Sequence, residues 1–91
     1  MDYTLNKETL FFDYIQDIID LCLNKNLDDA ESNFNKLELI ANKSHCSNIV
    51  KEAKSLFYTI KEKLRNSEDY DALLKNLNQK LTVAYHNFID N

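Results

Sequence analysis

The sequence predicts an all-α protein: an antiparallel four-helix bundle made of two helical hairpins, with residues 1–91 forming a single helical-bundle domain. Three observations predict it. The chain contains no Gly and no Pro, the residues on which tight β-turns most often depend. Its apolar residues recur every three or four positions in four successive segments, the spacing of one helix face. Only a few polar residues separate these segments, and short links of that kind set consecutive helices side by side and antiparallel. A chain of 91 residues supports one domain with a modest core, and its 44% hydrophobic content is too high for a disordered segment.

The first helix is expected at about residues 7–24, with Phe11, Phe12, Ile15, Ile18, Ile19 and Cys22 on one broad face and Asp13, Asp17 and Asp20 opposite. Asn24-Lys25-Asn26 breaks it. Asn26 suits the cap of the next helix, and Asp28 and Asp29 suit the positive end of its dipole. These caps argue against a three-helix alternative in which the break would be continuous helix. The second helix is expected at about residues 27–43 with the stripe Leu27, Ala30, Phe34, Leu37 and Ala41.

Ser44 or Ser47 then caps a third helix at about residues 48–66, whose stripe is Ile49, Ala53, Leu56, Phe57, Ile60 and Leu64. Lys61, Lys63 and Arg65 fall in its last turns, where cations complement the dipole. Ser67 is the expected cap of a fourth helix at about residues 68–89, with Tyr70, Leu74, Leu77, Leu81, Ala84 and Phe88 as a sustained seam. Asn33-Phe34-Asn35-Lys36 and Asn76-Leu77-Asn78-Gln79 echo one another at an offset of about 43 residues, a spacing that duplication of a helical hairpin would produce.

Composition excludes several functions. A formal net charge of −4 lacks the basic excess with which nucleic-acid binders displace phosphate counterions. The apolar run at Leu21-Cys22-Leu23 is far too short to span a bilayer. Met1-Asp2-Tyr3-Thr4 predicts no secretory signal, since it has neither a basic nor an apolar leader region. Two cysteines, Cys22 and Cys46, do not make a disulfide framework and suit a reducing cytoplasm. No cofactor is expected.

Candidate chemistry is sparse. His45 and His86 are the only side chains whose ordinary pKa lies near neutrality. Histidine phosphotransfer bundles carry Lys and Gly three and four residues after the phosphorylated His. Here those positions hold Asn48 and Ile49 after His45, and Ile89 and Asp90 after His86. A zinc site would have to gather His45, Cys46, Cys22 and His86, with no ligand spacing to assist it. Cys46 at a helix start would have an acidified thiol, whereas Cys22 on the apolar stripe reads as a small buried hydrophobe. Asp13, Asp17 and Asp20 form a solvated stripe or a dock for a basic partner. Lys51, Lys54, Lys61 and Lys63 form a charged face, with Glu52 and Glu62 interspersed, able to meet such a stripe on another copy.

The surplus is apolar. Leu10, Leu21, Leu39, Tyr58 and Val83 fall off the core stripes, and together with Tyr85 they are the candidate interaction residues. The sequence therefore reads as a non-enzymatic protein–protein interaction module, of the adaptor, chaperone, immunity or inhibitor type. It would present a helical face to another protein or to its own copy, as in a homodimer. A signalling bundle related to the histidine phosphotransfer domains is one alternative, and a helical structural subunit of a larger complex is another.

Overall fold

The computed structural model describes residues 6–42 and 44–90. The Met1-Asp2-Tyr3-Thr4 opening and the expected end of the second helix at Lys43 lie outside them. The described residues form α1 (Lys7–Leu23), α2 (Leu27–Ala41), α3 (Ser47–Arg65) and α4 (Asp71–Ile89), and no strand.

α1 starts where the Asn6 side-chain oxygen accepts the Glu8 backbone N–H at 2.8 Å. This satisfies one of the donors that every helix start leaves unpaired. It ends in a Schellman turn: Asn26 N–H donates to the Leu21 carbonyl at 2.8 Å and Lys25 N–H to the Cys22 carbonyl at 3.1 Å. Lys25 takes φ 63° to make this turn, so the break between the first two segments is real and the three-helix alternative falls. Asn26 does occupy the cap position of α2, but its side chain makes no capping bond. Its amide instead donates to the Asp29 carboxylate at 2.8 Å.

The other two starts differ from the expected ones. α3 begins at Ser47 with Cys46 at the cap position. Cys46 is buried, and Ser44 donates back to the Ala41 carbonyl at 2.6 Å, so Ser44 closes the end of α2 and caps nothing. α4 begins at Asp71, later than expected, because Ser67 belongs to the end of α3. It takes φ 57° in a second Schellman turn, in which Glu68 N–H donates to the Lys63 carbonyl at 2.8 Å and Ser67 N–H to that of Leu64 at 3.0 Å. Asp69 then accepts the Asp71 N–H at 3.1 Å, doing the work assigned to Ser67.

The helices close as an antiparallel four-helix bundle. α1 packs heavily on α2 and α3 on α4, as two hairpins, and the α1–α4 and α2–α3 seams join them. Directions follow from named contacts. Phe11, early in α1, stacks on Phe88 at the end of α4 (centroids 4.6 Å apart), while the Tyr70 hydroxyl, just before α4, donates to the carbonyl of Cys22 late in α1 at 3.2 Å. On the other seam Lys61 meets Glu31 and Lys54 meets Glu38, each at 2.7 Å, with Phe34 against Phe57 at 5.1 Å between them.

The core is apolar throughout the described residues. α2 buries the whole expected stripe, and Leu74, Leu77, Leu81 and Ala84 line α4. α3 is rotated slightly from its expected phase: Val50 and Cys46 are buried, while Ile49, Leu56 and Leu64 are only partly so. On α1 the buried set is Phe11, Ile15, Ile18 and Cys22. Phe12 stays 44% exposed and Ile19 half-buried.

Candidate interaction surface

The six residues singled out from the sequence do not meet in one patch. Leu21 and Tyr85 are half-buried against the core, and Leu10 is half-buried early in α1. Leu39 is the most exposed of them at 76% and edges a recess between the end of α2 and the start of α3 that Ser47 and Lys51 also line. Tyr58 lies on the α2–α3 seam, where its hydroxyl donates to the Glu31 carboxylate at 2.9 Å and its ring lies 5.9 Å from the Lys54 ammonium. Val83 edges a recess between α3 and α4 that Ile49 also lines.

The lysine face of α3 is largely engaged within the chain. Lys54 is held by Asn35 at 2.6 Å and Glu38 at 2.7 Å, and Lys61 by Glu31. Hydrogen bonding to Glu38 raises the pKa of Lys54, and hydrogen bonding to Glu31 raises that of Lys61. The same lysine, followed by the Tyr58 hydroxyl, lowers that of Glu31. These groups therefore serve the α2–α3 seam, and Lys54 and Lys61 are not free to meet an acidic stripe on another copy.

A different strip gathers on α1. At about 100° per residue, Phe11, Ile15, Ile18 and Cys22 centre on the core direction. Tyr14 and Leu21 fall to one side and turn in against the core. Phe12, Ile19 and Leu23 fall to the other side, towards α4; Ile19 is half-buried against the core, while Leu23 is 61% exposed and Phe12 44%. Two recesses run along this α1–α4 seam. One, of about 340 Å³, is lined by Ile19, Leu23, Leu74 and Lys75; the other, of about 280 Å³, by Phe12, Gln16, Thr82 and Tyr85. Asn78 lines both, so they form one groove. At the Phe12 end its floor is aromatic, with Phe12 5.5 Å and Phe11 6.1 Å from Tyr85.

No protein-family model matches the chain, and no curated protein or solved structure matches it.

The groove has an apolar wall from α1 and a polar wall from α4, where Asp71, Lys75, Asn78, Thr82 and His86 stand. That arrangement can seat a second amphipathic surface. His86 is exposed beside Tyr85, with ring centroids 5.9 Å apart, and His45 is exposed in the α2–α3 connection. Among the described residues no group of three or more His, Cys, Asp or Glu side chains converges as a metal site requires. Cys22 is fully buried and burial pushes its thiol up to about 11. Cys46 stands at the start of α3, as expected, but is sealed in the core with its sulfur 3.0 Å from the Ser44 hydroxyl. Among the described residues no helix is long and apolar enough to cross a membrane.

Phe12 and Leu23 are the residues sequence reasoning missed, Phe12 because its spacing places it with the core face, whereas Ile19 does pack, partly buried, against the core. The signal was the width of the α1 arc. Its apolar positions spread over more than half the helix circumference, and one neighbour on each side cannot cover that much.

Proposed function

We propose that this chain is a non-enzymatic protein–protein interaction module that acts through the α1–α4 groove, in the manner of a small adaptor, chaperone, immunity protein or inhibitor. The single observation behind this reading is the exposed pair Phe12 and Leu23, with half-buried Ile19 between them, along the α1–α4 groove. Contiguous exposed apolar surface on a small domain is a cost in water, and its usual reward is association. Three anchors on one helix face, with amides and hydroxyls beside them, match the mode in which an amphipathic helix lies in a groove. The cytoplasm suits this work, since both cysteines are free thiols.

Photocrosslinking in the native cell tests the proposal. A photoreactive phenylalanine is placed singly at positions 19, 23, 39 and 83. A discrete adduct of higher mass is expected from 19 and 23, and none from 39 and 83. Equal yields at all four positions, or none in the groove, refute the reading.

A further inference from the structure

We infer that the occupant of the α1–α4 groove is a basic amphipathic helix of another protein, with apolar residues spaced three and four apart and Lys or Arg on both flanks. This rests on the interaction reading above and adds the chemistry of the partner.

The charge distribution is the argument. α1 carries the carboxylates Glu8, Asp13, Asp17 and Asp20 and a single cation, Lys7. Its net charge is −3, the same as that of α2, which faces the basic α3. None of its carboxylates enters an ion pair among the described residues. The pairs found there join α2 to α3, α3 to the connection after it, residues within α3, and α4 to α3, as in Lys54–Glu38, Lys63–Glu68 and Lys80–Glu52. Among the described residues the carboxylates of α1 are thus without an ion-pair partner, as are Asp29, Asp69, Asp71 and Asp90, whereas Glu31 and Glu38 of α2 are held by lysines of α3.

Position matters as much as number. On the helical wheel Glu8 lies one turn before Phe12 on the same flank, and Asp20 lies one turn before Leu23 on its solvent side, with Asp13 and Asp17 further round, opposite the core. Asp71 stands at the Leu23 end of the other wall, and Lys75 is the lone lysine among the groove's lining groups. An apolar strip edged by acids attracts cations over apolar anchors. From Phe12 to Leu23 the strip spans about 16 Å at 1.5 Å per residue, which seats roughly three turns of a partner helix. A second copy docked α1 against α1 would bring these carboxylates face to face, and an anionic lipid surface would be repelled by them.

Fluorescence polarisation with designed peptides tests this. The probe is an 18-residue fluorescein-labelled helix with Leu at i, i+3, i+7 and i+10 and Lys on both flanks. Two comparison peptides carry Glu flanks, or the same Lys and Leu content in scrambled order. The Lys-flanked helix should bind about tenfold tighter than either. Leu23→Gln should weaken it about tenfold, and Leu39→Gln should leave it unchanged. The double variant Glu8→Gln, Asp20→Asn should shrink the preference for Lys over Glu flanks while circular dichroism stays helical. Equal, Leu23-dependent binding of Lys- and Glu-flanked helices overturns the partner class and leaves the interaction reading standing. Binding indifferent to Leu23→Gln, or no binding of any peptide, overturns this inference, and the crosslinking result then decides the interaction reading separately. A dimer by light scattering that Leu23→Gln abolishes assigns the groove to a second copy and also overturns it.

Discussion

Replacing Lys25 and Ser67 by Gly should make this protein more stable. Both residues sit in the left-handed region, at φ 63° and φ 57°, because each completes a Schellman turn at the end of a helix. The chain has no Gly at all, so side chains occupy positions where a Cβ crowds the backbone. A left-handed conformation costs a non-Gly residue roughly 1–2 kcal/mol. Gly removes that cost but adds roughly 0.5–1 kcal/mol of unfolded-state entropy. The net gain is about 0.5–1 kcal/mol per site. Among the described residues neither Lys25 nor Ser67 makes a side-chain hydrogen bond or ion pair, so little is lost against it. For a domain of this size 1 kcal/mol moves Tm by about 4–8 °C, and the double variant should melt at least about 4 °C higher. Thermal and urea unfolding followed by circular dichroism measure it. Asn66→Gly is the control: Asn66 has φ −91° and ψ 8°, so Gly there brings only the entropic cost and should lower Tm. If Lys25→Gly and Ser67→Gly behave as Asn66→Gly does, the left-handed strain is not a cost in this fold and the reasoning fails.

Two further outcomes follow from burial. Leu77→Ala should cost about 2–4 kcal/mol, since Leu77 is fully buried, and Leu39→Ala less than about 1 kcal/mol, since Leu39 is 76% exposed; similar losses in urea titrations would mean the core is misplaced. Burial raises the Cys22 thiol from 9.0 to about 11, so the folded state keeps a proton that the unfolded state releases. The stabilisation is complete below pH 9 and is lost as pH rises towards about 11, a fall of roughly 2–3 kcal/mol. In Cys22→Ala that part of the alkaline decline should vanish, and a constant stability gap between the two proteins from pH 8 to pH 11 would contradict it.

The seams with a strict three-and-four rhythm were legible in full. The Leu27, Ala30, Phe34, Leu37, Ala41 stripe needs no information about neighbours, because a narrow apolar stripe has only one way to face inward. Capping was less legible. Ser67 and Asn26 have the right chemistry for helix starts, but the same small polar residues suit helix ends. With no Gly to mark a C-terminal turn, Ser67 passed for the beginning of α4 when it is the left-handed residue that ends α3. Cys46 stands beside His45 at a helix start, a place that by itself favours an acidified thiol. The turn closed by Ser44 swings it into the core.

The groove was hidden because the information that reveals it is divided between two helices. On α1 alone, Phe12 and Ile19 are indistinguishable from Phe11 and Ile18, each pair being adjacent apolar residues. What separates them is the flank of α4 that they meet. A closed seam would place apolar side chains there, and α4 instead presents Lys75, Asn78 and Thr82. On the far side of α1 the corresponding flank, Tyr14 and Leu21, is partly buried against the core as Ile19 is, and the asymmetry rests on the exposed Phe12 and Leu23. The asymmetry has a physical consequence for association. Polar groups on the α4 wall stay solvated in the free protein, so the groove tolerates water until a partner arrives, while Phe12, Ile19 and Leu23 supply the apolar area that a partner would remove from it. A helix whose apolar arc exceeds the cover its own bundle provides is thus the feature to look for in sequences of this kind, and it becomes readable when the facing flank of the neighbouring helix is read with it.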